Sequence, residues 1–295
     1  MSSTELRHAI ELEDEVRRAI EATDDVAVAR QHVRAVVLER NAKRVPDDIE
    51  VEVVDAGGVG AEWVVSPLDP ERRVVVFVHG GGFTLGSAAE SRELTARLAR
   101  ASQARVLALD IRLAPEARFP APIDDVLAAF RWLVADGADP REIALVGEST
   151  GAAAVLAAAV ALRDAGEAGP GAVALLSPVL DLRAPDQDLA RGAELYRGDA
   201  PADDPRVSPV LADLDGLPPL FVQAGTADTA AAAAAELARR AEEAGVVVVH
   251  QEWEGMIHRW QTHPHVYDAT RAVHQVGDFL LRRIGPGYVP VQPAA

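Results

Sequence analysis

Cysteine is absent from all 295 residues. That removes thiol nucleophiles, cysteine-based zinc sites, iron–sulfur clusters and disulfides together, and it fits a reducing compartment. Lysine is nearly absent too. Lys43 is the only one, so no lysine-based phosphate loop or Schiff base can form elsewhere. Positive charge as a whole is short: 46 acidic residues against 29 basic ones give a net charge of −17. Such a chain repels phosphate backbones, which argues against nucleic acid as a partner. Long apolar runs are also missing, and no segment approaches the roughly 18 residues that a membrane span needs. Met1 to Glu21 alternates charge with Leu, Ile and Val and shows no basic-then-apolar leader pattern. The expected protein is soluble and cytoplasmic.

What is present is a large apolar fraction, 49%, enough to bury a full core without disulfides or metal. Two amphipathic helices are predicted at the front, over Glu5–Thr23 and Val26–Arg44, with Asp24 or Asp25 as the cap of the second. Pro46 ends this region. Strands Ile49–Asp55 and Ala61–Ser66 flank a glycine-rich hairpin turn. Arg73–His79 is a nearly continuous apolar run, as in a strand covered on both faces. Strands and helices then alternate. Strands are predicted at 105–110, 142–147, 172–176, 219–224 and 246–253, and helices at 90–102, 122–135, 151–164, 229–244 and 267–284. That rhythm means a mostly parallel sheet of eight strands flanked by helices, with an antiparallel start. Asp181–Pro219 breaks it. This stretch is polar, rich in Pro, Gly and Asp, and with little periodicity, so it reads as a lid or a disordered loop.

Two motifs carry chemistry. Gly147-Glu148-Ser149-Thr150-Gly151 follows an apolar strand and opens an Ala-rich helix. A sharp strand–turn–helix at that place would expose Ser149 Oγ beside the N–H groups of the helix N-terminus. A plain turn with a capping serine fits the same residues. The second motif is His79-Gly80-Gly81-Gly82, directly after the buried strand. Consecutive glycines let main-chain N–H groups approach a ligand, as required to hold the oxyanion of acyl transfer. A flexible loop with no role is the alternative.

Taken together, the motifs resemble the bacterial hormone-sensitive-lipase family of α/β-hydrolase esterases. Between them lies Asp110-Ile111-Arg112-Leu113-Ala114-Pro115-Glu116, similar to the family's Asp-Tyr-Arg-Leu-Ala-Pro-Glu, followed by Phe119-Pro120-Ala121-Pro122. Ser177-Pro178-Val179-Leu180-Asp181-Leu182, Ser208-Pro209 and Leu217-Pro218-Pro219 resemble later family segments. The likeness covers about residues 45–285. It implies an α/β-hydrolase fold with a small helical cap, formed by residues 1–45 and an insertion around 181–207, on a catalytic domain of residues 46–290.

The resemblance also implies a triad. Ser149 is the nucleophile, with Gly81, Gly82 and Thr150 as the oxyanion hole. In this fold the order is Ser, acid, His. Of eight histidines, His258 lies in Gly255-Met256-Ile257-His258, similar to the family's Gly-Met-x-His, and is the expected base. Asp228, in Gly225-Thr226-Ala227-Asp228, is the expected acid. It could instead cap the next helix, and Asp181 is the reserve. His263 and His265 flank Pro264 but lack a carboxylate pattern for metal, and they read as surface residues.

The sequence departs from the family at several points. Glu148 and Thr150 stand where Asp and Ala are usual, Ile111 replaces Tyr, and Arg259-Trp260 replaces Gly-Phe. Phe83, Leu85, Tyr196, Ile257 and Trp260 are the expected substrate pocket, with Trp260 favouring short or cyclic acyl groups. The expected function is a serine carboxylester hydrolase acting on a small-molecule ester, with no metal or organic cofactor and, at most, a second copy of the chain as a homodimer partner. A lactonase or amidase would use the same triad. A non-catalytic ligand-binding protein on the same scaffold is the alternative of another class.

Overall fold

The computed structural model describes residues 4–41, 44–68 and 73–285. The predicted end of the second helix at Arg44 falls across residues 42–43, outside the described residues. The expected domain limits at residues 1 and 290 also lie outside them.

Chain order is α1 (Thr4–Glu21), α2 (Val26–Asn41), β1 (Glu50–Asp55), β2 (Gly60–Val65), β3 (Val74–Val78), α3 (Arg92–Ser102), β4 (Arg105–Leu109), α4 (Ala121–Ala135), β5 (Ile143–Glu148), α5 (Thr150–Asp164), β6 (Ala172–Leu176), α6 (Gln187–Arg197), β7 (Leu220–Gly225), α7 (Ala231–Glu243), β8 (Val248–Trp253) and α8 (Tyr267–Arg283). One sheet holds all eight strands in the order β1-β2-β4-β3-β5-β6-β7-β8. The β1–β2 and β2–β4 pairs are antiparallel and every later pair is parallel. This is the mostly parallel eight-stranded sheet with an antiparallel start that the alternating pattern implies, in the α/β-hydrolase architecture that the family resemblance implies.

Strand period two decides what each face buries. On β3, Val75 and Phe77 join Leu94 and Leu98 of α3 and Val276 and Leu280 of α8 in one core. Val74, Val76 and Val78 join α4 and α5 in the other. Fully burying such a side chain contributes about 1.5–3 kcal/mol, so a strand packed on both sides needs the unbroken Val-Val-Val-Phe-Val run. Helix α5 is buried along most of its length. Its alanines let it lie close against the sheet just behind Ser149.

The N-terminal helices form an antiparallel pair. Asp25, not Asp24, caps α2, its Oδ1 accepting from Ala27 N–H at 2.8 Å. On α1, Leu6 and Ala9 pack with Met256, Trp260, Val266 and Ala269. Further along, Val16, Val33 and Val37 pack against Leu85. The pair therefore lies over two loops at the C-terminal ends of the strands.

The stretch after β6 corrects the aperiodic reading, because it contains α6. Asp186 Oδ1 accepts from Leu189 N–H at 3.0 Å and caps this helix. Ala193 and Tyr196 are its buried residues. Among the described residues, no helix is long and apolar enough to cross a membrane.

Candidate active site

Strand β5 ends at Glu148, and the chain turns through Ser149 directly into α5. Ser149 has φ 54° and ψ −119°, a conformation that a non-glycine residue holds only when its surroundings impose it. The flanking glycines permit the turn. A Cβ on Gly147 would lie 2.4 Å from the Gly151 carbonyl oxygen, and one on Gly151 would lie 2.3 Å from that of Val78. Only hydrogen fits at either place, which is the physical content of the Gly-x-Ser-x-Gly pattern.

Ser149 Oγ lies 2.9 Å from His258 Nε2. On the other side of the ring, Nδ1 lies 2.8 Å from Asp228 Oδ2. An ionised carboxylate only accepts hydrogen bonds, so Nδ1–H donates to Asp228. That leaves Nε2 bare to accept from the serine hydroxyl. Asp228 follows β7 and is buried, with Oδ1 accepting from Ala230 N–H at 2.9 Å. It thus serves the turn into α7 and the imidazole with different oxygens. Asp181, the reserve acid, is bound to Arg183 through both oxygens. That guanidinium holds its carboxyl below the usual range.

The glycine loop after β3 packs against this turn. Gly81 has φ 116° and Gly82 φ 63°. The Gly81 carbonyl accepts from Thr84 and Leu85 N–H. Among the described residues, the N–H groups of Gly81 and Gly82 donate to no protein acceptor. Thr150 is the first residue of α5, where an N–H has no intrahelical partner.

The five expected pocket residues do not form one wall. Phe83 and Tyr196 stack with ring centroids 3.7 Å apart and are both buried. Burial pushes the Tyr196 hydroxyl pKa up. Trp260 is completely buried. It packs with Trp253, Leu6 and Ala9, so α1 covers the indole that the sequence suggested as a pocket wall. Leu85 lies against α1 and α2, and Ile257 against the Trp260 cluster. Both are half-buried.

His263 also corrects an expectation, because it is fully buried. Its Nε2 lies 2.9 Å from Glu13 Oε1, and Arg40 Nη1 lies 3.9 Å from the same oxygen. Burial raises the Glu13 pKa, but His263, Arg259 and Arg40 outweigh it and hold that carboxyl at about 2. His265 is half-buried, and burial followed by the nearby His263 and His8 pushes its pKa down to about 4. Among the described residues, no group of three or more His, Asp or Glu is arranged to hold a metal ion.

Two side chains escaped the sequence reading. Glu148 is buried and forms an ion pair with Arg259. Its Oε2 also accepts from Gly80 N–H at 3.3 Å. The available signal was a pair of opposite charges, one beside Ser149 and one beside His258.

The alpha/beta hydrolase fold family matches residues 75–262, a span that includes Ser149, Asp228 and His258. An acetyl-hydrolase of Streptomyces hygroscopicus is 37% identical over 252 residues, covering 80% of this chain and 84% of that protein. An esterase of Acinetobacter venetianus is 30% identical over 243 residues, with 76% and 80% covered. Among solved structures, an esterase from the bacterial hormone-sensitive lipase family superposes with a TM-score of 0.90 at 37% identity, covering 97% of this chain and 100% of that one.

Proposed function

The chain belongs to the bacterial hormone-sensitive-lipase family of α/β-hydrolase esterases and is a hydrolase of the carboxylesterase type, and from that premise we propose that it cleaves compact acyl esters through an acyl-enzyme on Ser149. The observation that carries this reading is the hydrogen-bonded line Asp228–His258–Ser149.

In the first half, Ser149 Oγ attacks the ester carbonyl while its proton passes to His258 Nε2. The carbonyl oxygen gains the negative charge and takes hydrogen bonds from the N–H groups of Gly81, Gly82 and Thr150. Asp228 keeps the imidazole in the Nδ1–H tautomer and stabilises its charged form. The tetrahedral centre collapses, the ester C–O bond breaks, and the alcohol leaves with the proton from His258. In the second half, His258 takes a proton from water, the resulting hydroxide equivalent attacks the acyl carbon, and the acid departs as Ser149 is reprotonated.

Helices α1 and α2 with α6 form the cap in this reading. Arg191 of α6 meets Asp24, and Arg17 of α1 meets Asp188. A compact acyl group is favoured because α6 lies directly on the oxyanion loop. A Cβ on Gly192 would lie 2.7 Å from the Gly82 carbonyl oxygen. Likeness to a protein named an acetyl-hydrolase points the same way.

Hydrolysis of p-nitrophenyl acetate by the purified protein tests the proposal. Ser149→Ala is expected to lower kcat by up to about 10⁶ without unfolding the chain. Near-normal turnover by folded Ser149→Ala overturns it.

A further inference from the structure

We propose that Glu148 and Arg259 are a positioning pair that sets the base loop against the nucleophile and the oxyanion loop. The inference rests on the reading of Ser149 as nucleophile and His258 as base.

Each member is the covalent neighbour of a reacting residue, since Glu148 precedes Ser149 and Arg259 follows His258. The Glu148 side chain is 1% exposed. Its carboxylate meets the Arg259 guanidinium and the Gly80 N–H. One buried carboxylate therefore touches three segments: the elbow that carries it, the glycine loop and the loop after β8. These segments come from β5, β3 and β8, and β6 and β7 separate β5 from β8 in the sheet.

The base loop is held from two sides. Toward β7, Gly255 N–H donates to Thr226 Oγ1 at 2.8 Å and Ala227 N–H donates to the Met256 carbonyl at 3.1 Å. Asp228 holds the imidazole from that side. Toward β5, the anchors are the ion pair and the Arg259 N–H, which donates to Ser177 Oγ at 3.0 Å. Arg259 sits at φ 59°, ψ 25°, a left-handed conformation that an arginine keeps only when its contacts demand it.

Sequence supports the same pairing. Glu148 and Arg259 are both departures from the motif pattern, and the fold brings them into contact. A carboxylate one methylene longer than Asp reaches a cation standing where glycine is usual. Charges facing the pair are Glu13 from α1, Glu90, Arg40 from α2 and His263. Burial opposes the Arg259 charge, yet Glu148 and Glu13 more than offset it and raise its pKa. Through Glu13, the first helix of the cap adds a favourable charge to the surroundings of Arg259.

The test compares full-length wild type with Arg259→Met, Glu148→Gln, the double variant and Arg259→Lys, using p-nitrophenyl acetate over pH 5–9 with thermal melts in parallel. Misplacing a reacting group by about 1 Å can cost about 10²-fold. Each single neutral variant is therefore expected to lose about 10–100-fold in kcat, with KM within about 3-fold. The double variant, with no unpaired buried charge, is expected to be no worse than the poorer single. Arg259→Lys is expected to recover part of the loss. The acid limb of the rate profile should shift in opposite directions. It moves up in Arg259→Met, where an unpaired carboxylate favours the imidazolium, and down in Glu148→Gln. Multiplicative losses in the double, or wild-type kcat and pH profile in folded Arg259→Met, overturn the proposal. If Arg259→Met does not fold, Arg259→Lys and Glu148→Asp decide it, and wild-type kcat in both overturns it. A Ser149→Ala variant that still turns over points instead to failure of the nucleophile reading.

Discussion

Glu13, on the first helix, lies 2.9 Å from His263, on the loop that follows β8 and carries His258. The contact joins residues 250 positions apart in sequence and adds a polar tie to the apolar packing of Leu6 and Ala9 that docks α1. Because its folded pKa is depressed to about 2 from 4.5, Glu13 contributes stability that is fully present above about pH 4.5 and lost as pH falls toward 2. Burial, with Arg40 and Arg259, also lowers the His263 pKa despite Glu13, so acid opposes the buried neutral ring in the same direction. Glu13→Gln is expected to cost up to about 3 kcal/mol at pH 7. The gap to wild type should narrow through pH 4 and 3. Melts at four pH values check this, and a gap that widens on acidification would show the sign to be wrong.

Asp228 orients His258, whereas Asp181 only closes a local turn with Arg183. Asp228→Asn disfavours the Nδ1–H tautomer and is expected to lower kcat by about 10³–10⁴. Asp181→Asn should stay within a few-fold. Steady-state kinetics on the two variants checks the assignment, which fails if their order is reversed.

Only a neutral imidazole can take the serine proton. Single-turnover acylation should therefore rise with pH as the imidazole loses its proton and then level off. A flat profile, with acylation shown to limit the rate, would remove His258 as base.

Leu189 should take the pocket role that the sequence suggests for Trp260. The buried Trp260 holds α1 against the base loop, so Trp260→Ala is expected to cost about 3–5 kcal/mol of stability. The order of preference among acyl chain lengths should survive. Leu189 on α6 reaches the space above Gly82, with Cδ1 3.4 Å from where a Cβ would stand. Leu189→Ala should favour longer acyl chains, shifting relative kcat/KM by about 10-fold. A chain-length series on both variants, beside urea titrations, separates packing from pocket.

The parallel core was legible because its strands carry continuous apolar runs, and the elbow and glycine loop because their backbones tolerate only glycine at fixed places. Asp228 and His258 followed from motif likeness and are brought together by the ends of β7 and β8. Helix α6 was not legible. Its inward residues Leu189, Ala193 and Tyr196 do keep helical spacing, but Gly192 and four charged residues dilute the period over 11 residues. Nor was the Glu148–Arg259 pair, because contact between residues 111 positions apart leaves no periodic trace. His263 looked like a surface residue because the helix that covers it comes from the opposite end of the chain.

That last arrangement bears on how the protein is made. Leu6 and Ala9 find their apolar partners among Trp260, Val266 and Ala269. During synthesis the first helix therefore leaves the ribosome long before the residues it packs on exist. Domains tend to form from the N-terminus as the chain emerges, and exposed apolar surface in the interval invites aggregation. Here the Leu6–Ala9 end of α1 must wait without its apolar partners, the helix's many charges keeping it in solution, until nearly the whole sheet has been built. The loop that carries His258 gains its cover in that same late event, so acquisition of activity should coincide with the final step of folding rather than with formation of the sheet.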